Sequence, residues 1–372
     1  MRDSLTRFSA SQAGIILTGA VIGIVAVLLQ KAGNPPNMGI CVACFERDIA
    51  GALGLHRAAV VQYLRPEIIA FVLGSFFSAV LFSEFKARMG SAPVVRFFLG
   101  MFAMIGALAF LGCPWRALLR LSAGDFNAVT GIAGLALGIT GGVMFLKSGY
   151  NLGRSQKTYT FAGLLLPLVM VALLVLLMTK VGADSGTAPF FSEKGPGAMH
   201  APVWISAVAG LIIGILAQRS RFCTMGAIRD VILMRDYHLI SGLGALVVAV
   251  FIMNLLFGNV HPGFSPQPVA HSAHLWNFLG MVLSGLAFAL AGGCPGRQLF
   301  LAGEGDGDAA VFVLGMITGA AVSHNFALSG SPDKVVEGIV KTGGVSTAGM
   351  IMVVTGILFC LLVGWTMREQ SN

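Results

Sequence analysis

Six cysteines punctuate the 372 residues: Cys41, Cys44, Cys113, Cys223, Cys294 and Cys360. All lie in or beside apolar sequence, whereas a disulfide framework belongs to secreted, loop-rich chains. Two of them sit in the same tripeptide, Gly-Cys-Pro, at 112–114 and 293–295, each with an arginine two residues beyond the proline, Arg116 and Arg297. Proline suits the first turn of a helix, where its missing N–H costs nothing, so Cys113 and Cys294 are expected at or near an N-cap. A helix start offers unpaired N–H groups and partial positive charge, which attract anions and favour a thiolate. A thiol, open amides and a guanidinium in one turn suit a soft anion that carries both sulfur and oxygen. The alternative is a Gly-Pro turn whose cysteine acts as a small hydrophobe.

Cys41 and Cys223 begin a second kind of motif. Each is followed six residues later by arginine and then aspartate, as Arg47-Asp48 and Arg229-Asp230. These charges either pair inside the membrane or mark an interfacial helix end, and the sequence leaves both open. Cys44 makes Cys-x-x-Cys with Cys41, a spacing shared by redox dithiols and some metal sites. The second copy has Gly226 in that place. Cys360 has no partner in sequence and reads as core packing. His261, His271 and His274 share one loop with no carboxylate or thiol beside them. They are expected to be solvated, and no metal site is assigned. His324 lies in an apolar run, as a core residue or a proton-linked group. There is no G-x-x-x-x-G-K-[ST] loop, so an ATP motor is not expected and no cofactor is called for.

The elements that carry these residues are membrane spans. Only 11% of residues are charged and 56% are hydrophobic, against about 25% charged in soluble domains. Ten stretches are apolar and long enough, or nearly so, to cross a bilayer as helices: 13–29, 65–85, 97–112, 126–146, 160–180, 202–218, 239–257, 275–292, 308–328 and 346–366. The first resembles a signal anchor with no small-x-small cleavage site after it, and is expected to be retained. The net charge of +8 fits basic cytoplasmic loops better than a nucleic-acid surface, since no Lys/Arg block stands out. Lys86, Arg88 and Arg96 in one loop and Lys147, Arg154 and Lys157 in another place both loops in the cytoplasm. Both termini then lie inside, and the 182–201 and 258–274 loops outside.

The motifs recur as a set. Cys223 lies 182 positions after Cys41; Cys294 lies 181 after Cys113; Asp306 and Gly319 lie 181 after Asp125 and Gly138. Anchors at a near-constant offset indicate an internal repeat. The expected division is 10–146 for the first repeat, 147–201 for a linking span and external loop, 202–328 for the second repeat, and 329–372 for a last span and tail. An odd number of spans between equivalent residues inverts the second copy. Each motif falls between spans, so four short re-entrant helices or loops are expected to meet in a central constriction. The fold class is an all-α polytopic membrane protein.

Gln218-Arg219-Ser220-Arg221-Phe222-Cys223-Thr224-Met225-Gly226-Ala227-Ile228-Arg229-Asp230, with Ala291-Gly292-Gly293-Cys294-Pro295, resembles the YeeE/YedE sulfur-transport family, in its selenium-metabolism-associated YedE-like branch. The resemblance covers about 10–366. It implies an hourglass-shaped helical fold and thiosulfate uptake, with Cys113, Cys223 and Cys294 at the constriction and Cys41 as the repeat mate of Cys223. It also implies a cytoplasmic TusA-like sulfur carrier as partner. Cys41-x-x-Cys44, and Trp115 where the second copy has Gly296, depart from the pattern. The expected function is therefore non-enzymatic import of a thiosulfate-like sulfur or selenium anion across the bacterial inner membrane. Two rivals are a membrane thiol–disulfide oxidoreductase using Cys41 and Cys44, and a membrane subunit that docks a sulfur or selenium carrier.

Overall fold

The computed structural model describes residues 2–180 and 186–368; positions 182–185 of the expected external loop and 369–372 of the tail lie outside the described residues. The order begins with α1 (Arg2–Ser9), α2 (Gln12–Lys31), α3 (Val42–Ala52) and α4 (Pro66–Leu81). A short strand β1 (Arg88–Met89) precedes α5 (Pro93–Phe110), α6 (Pro114–Ser122) and α7 (Asn127–Lys147). β2 (Gln156–Lys157) leads into α8 (Thr160–Thr179), α9 (Val203–Ser220), α10 (Thr224–Met234) and α11 (His238–Leu256). Then come α12 (His274–Ala291), α13 (Pro295–Gly303), α14 (Gly307–Asn325), the hairpin β3 (Lys334–Val336) and β4 (Ile339–Lys341), and α15 (Thr347–Thr366).

Each of the ten expected spans is a helix. Among the described residues, nine helical stretches are long and apolar enough to cross a membrane, while Pro66–Leu81 is apolar but has only 16 residues. Large apolar side chains such as Leu17, Leu137, Val175, Leu256 and Leu361 point outward. That is the distribution expected when the solvent on the flanks is lipid and only the interior must be packed tightly.

Close packing is achieved by small residues. Helix α7 lies along α12, and α14 lies along α5; α4 pairs with α9, and α2 with α11. At Gly134 an added Cβ would fall 2.1 Å from the Phe278 carbonyl oxygen, and at Gly315 it would fall 2.1 Å from that of Phe97. Both the glycines and the carbonyls are 181 positions apart. The backbones touch directly, which only glycine permits.

The basic loops gather on one face. Arg88 and Met89 pair with Lys157 and Gln156 in the β1–β2 ladder. Arg88 also reaches Asp306 at 2.8 Å, and Asn151 N–H donates to the Met367 carbonyl. On the opposite face, Asp333 between α14 and β3 accepts from Ser265 and Ser272 of the 257–273 loop. His271 departs from the expected solvated loop histidine: it is fully buried, with Nε2 2.8 Å from the Ala109 carbonyl. The loop folds back onto α5, and the imidazole meets a carbonyl that would otherwise be left unpaired at the end of that helix. His274 packs edge-on against Phe264.

Short-range charge pairs lock the interior. Asp48 on α3 is wholly buried between Arg47, at 2.7 Å, and Arg65, also at 2.7 Å. Arg65 in turn donates to the carbonyls of Pro196 and Met199, fastening the 186–202 segment over α3. Replacing Asp48 with alanine strands two buried guanidinium groups. Asp48→Ala is expected to destabilise the protein by about 3–5 kcal/mol, read as a large drop in the thermal midpoint in detergent.

Candidate functional site

Four short helices begin inside the protein, and each begins at a motif cysteine. Cys41 is the N-cap of α3, Cys113 of α6, Cys223 of α10 and Cys294 of α13. Three of the four preceding helices are halted by left-handed C-caps: Leu111 at φ 65°, Arg221 at φ 59° and Gly292 at φ 85°; α2, before α3, ends right-handed at Ala32. Leu111 and Gly292 are 181 positions apart, so the first copy holds with leucine a conformation that the second gives to glycine. Pro114 and Pro295 then start the next helix, as expected for proline at N1.

The caps of α3 and α10 are equivalent in detail. Cys41 Sγ accepts from Cys44 N–H at 3.4 Å, and Cys223 Sγ accepts from Gly226 N–H at 3.3 Å. The sulfur thus serves where serine or aspartate usually does, as the acceptor for an otherwise unpaired N–H. The thiols fall into two pairs. Cys223 and Cys294 approach with 3.6 Å between sulfurs, and Cys41 interacts directly with Cys113. All four are buried. The two Gly-Cys-Pro elbows converge: the Trp115 ring of one lies against Gly296 of the other.

The two pairs differ in access. A cavity of about 620 Å³ reaches Cys223 from the face that carries the basic loops. Arg219, Arg221, Arg229, Arg297 and His238 line it, with Glu84, Asp230 and Asp236. Arg297 is held by Glu304 at 3.3 Å. Its counterpart Arg116 is fully buried and donates to the carbonyls of Asn37, Leu111, Pro268 and Val269, which close the structure over Cys41 and Cys113. The Arg-Asp pairs diverge in the same way. Arg47–Asp48 is buried, whereas Arg229–Asp230, at 2.7 Å, stands in the cavity wall with Arg229 partly exposed. Cys44 lies near Arg116 and the Leu111 carbonyl, each 3.9 Å away. Cys360 is buried in the core.

Several residues at the site carry no motif signal. Glu304 receives Arg221 and Arg297 and links them to the floor of the cavity. Arg120, which has no such signal, forms a buried pair at 2.6 Å with the repeat anchor Asp125 at the far end of α6. Glu46 on α3 is fully buried with both carboxyl oxygens free of hydrogen bonds. Glu84 at the rim is bound by Gln218 and Arg219, at 2.7 and 2.8 Å.

The bundle and its exposed apolar belt define a multi-pass α-helical membrane protein. Residues 219–372, which carry the Cys223 and Cys294 elements, match the family described as "Sulphur transport". A 104-residue stretch is 31% identical to the "Thiosulfate transporter TsuA" of Spirochaeta thermophila, covering 28% of this chain and 31% of that protein. A 99-residue stretch is 28% identical to the Escherichia coli protein of the same name, covering 26% and 27% respectively. The matched stretches therefore span less than a third of the length of these relatives.

The rim has a defined response to acid. Partial burial acts to raise the Glu84 pKa, but hydrogen bonds from Gln218 and Arg219, with the charges of Arg219 and Arg221, outweigh it and hold the carboxyl below its ordinary value. A depressed carboxylate contributes stability above its unfolded pKa and loses it as pH falls through the folded value. Between roughly pH 5 and pH 3, the thermal midpoint of the wild type is expected to fall more steeply than that of Glu84→Gln.

Proposed function

We propose that this protein imports a small sulfur oxyanion of the thiosulfate class across the bacterial inner membrane, through a neck lined by Cys41, Cys113, Cys223 and Cys294. The observation that carries this reading is the pair of sulfurs 3.6 Å apart at the inner end of an arginine-rimmed cavity, set beside a second thiol pair one elbow away. The names of the relatives agree with it.

The chemistry follows from what an anion gives up on leaving water. A thiosulfate-like ion has one soft sulfur end and one oxygen-rich end. Thiols replace water weakly at the soft end, so no single position traps the ion, which is the condition for passage. The four helix starts and Arg297 offset the charge. Nothing is made or broken covalently. The ion moves from Cys41/Cys113 to Cys223/Cys294 and leaves through the cavity, whose face is cytoplasmic on the positive-inside argument. The seal of carbonyls around Arg116 makes this an inward-facing arrangement.

The two halves, 10–146 and 202–328, are read as inverted repeats joined by 147–201 and followed by 329–372. Reciprocal packing supports this: α7 on α12 mirrors α14 on α5, and α4 on α9 mirrors α11 on α2. A TusA-like carrier at the cavity mouth, and a selenium analogue as cargo, suit the same geometry, since selenium is softer than sulfur but otherwise alike.

Purified protein in liposomes is expected to accumulate labelled thiosulfate, and Cys294→Ala to reduce initial uptake at least tenfold while eluting and melting as wild type. Cys360→Ala, away from the path, is expected to leave uptake unchanged. Undiminished uptake in Cys294→Ala would rule out the thiol neck.

A further inference from the structure

Trp115 stands where the two halves break their match, because the equivalent position is Gly296. It is the largest fully buried side chain in the protein. Its indole crosses from the elbow of Cys113 to the elbow of Cys294: a Cβ at Gly296 would lie 3.0 Å from Cζ2, 3.2 Å from Cη2 and 3.4 Å from Cε2. Phe222, adjacent to Cys223, packs edge-on against the same ring, with centroids 5.9 Å apart; Phe71 and Phe300 complete the collar. Two-fold equivalent elbows that meet can hold one large ring between them, not two. The Trp/Gly asymmetry is therefore a steric requirement of contact.

The ring also carries an unused donor. Trp115 Nε1 is buried and has no hydrogen-bond partner, and the hydroxyl of Thr224, next to Cys223, is in the same condition. Buried tryptophan N–H groups ordinarily find an acceptor. Trp115 is two positions from Cys113 and Thr224 is next to Cys223, so each elbow joins what an oxyanion path requires: a thiol for the sulfur end, and an N–H or O–H for the oxygens.

We propose that Trp115 is the gate of the neck: its indole partitions the Cys41/Cys113 pair from the Cys223/Cys294 pair, and its Nε1–H donates a hydrogen bond to the oxyanion end of the ion as it passes. This rests on the proposed transport and adds the residue that seals and selects. Charge-assisted hydrogen bonds are stronger than neutral ones, so loss of the N–H affects binding of the anion more than packing.

The test uses the full chain in liposomes with two variants and two ions. Trp115→Phe keeps a ring and removes the N–H; it is expected to raise the half-saturating thiosulfate concentration about tenfold and to keep vesicles tight to sulfate. Trp115→Ala removes the partition and is expected to release trapped labelled sulfate at least ten times faster than wild type. Unchanged half-saturation in Trp115→Phe together with sulfate retention in Trp115→Ala overturns the proposal. The sulfate arm reads the gate whatever the cargo, so a wild type without thiosulfate uptake strikes the proposed function while sulfate release from Trp115→Ala still decides the gate.

Discussion

A helix that begins inside a lipid-embedded protein exposes N–H groups that water cannot reach, and each must be matched or left at a cost of several kcal/mol. Four helices here begin that way, and a cysteine stands at every start. Cys41 and Cys223 meet the requirement directly, by accepting from the residue three positions on. The remaining open amides are the source of the positive potential at the thiols. Under the proposed transport, the capping sulfurs of Cys41 and Cys223 are also part of the site: what makes these breaks tolerable would also attract a soft anion.

The rest of the architecture keeps these starts in register. Glycine contacts such as Gly134 on Phe278 and Gly315 on Phe97 bring the long helices close enough for the elbows to touch. Buried ion pairs, Asp48 with Arg47 and Arg65 and Arg120 with Asp125, anchor α3 and α6. The two halves use similar parts to different ends. Around α3 and α6 the guanidinium groups are spent on carbonyls and aspartates, and that side is shut. Around α10 and α13 the matching residues, Arg229 and Arg297, line a cavity. In the proposed transport, alternating access between like halves would need such an inequality at any one moment.

The spans were legible because a lipid solvent imposes a length and a hydropathy that local sequence must display. The motif cysteines were legible because Gly-Cys-Pro and Arg-Asp recur at a fixed offset. The cap positions of Cys113 and Cys294 followed from the proline after each; those of Cys41 and Cys223, which precede Val42 and Thr224, carried no such mark. What could not be read was pairing across the fold. Nothing local says that Cys223 faces Cys294, that Arg116 is spent on Pro268 and Val269 carbonyls, or that His271 is buried against Ala109. Trp115 appeared only as a departure from its repeat mate, since its partner Gly296 has no side chain to leave a trace. Leu111 in a left-handed cap is likewise invisible, because leucine has no preference for that conformation.

The central claim is that the thiols at these helix starts form one path for a sulfur anion, and protection of those thiols tests it most directly. Cys223 labelling by a membrane-impermeant thiol reagent, followed by peptide mass spectrometry on vesicles of known orientation, reads access from each face. The account predicts labelling from the basic-loop face alone, slowed by thiosulfate and not by sulfate. Labelling that is unaffected by thiosulfate, or equal from both faces, would contradict it.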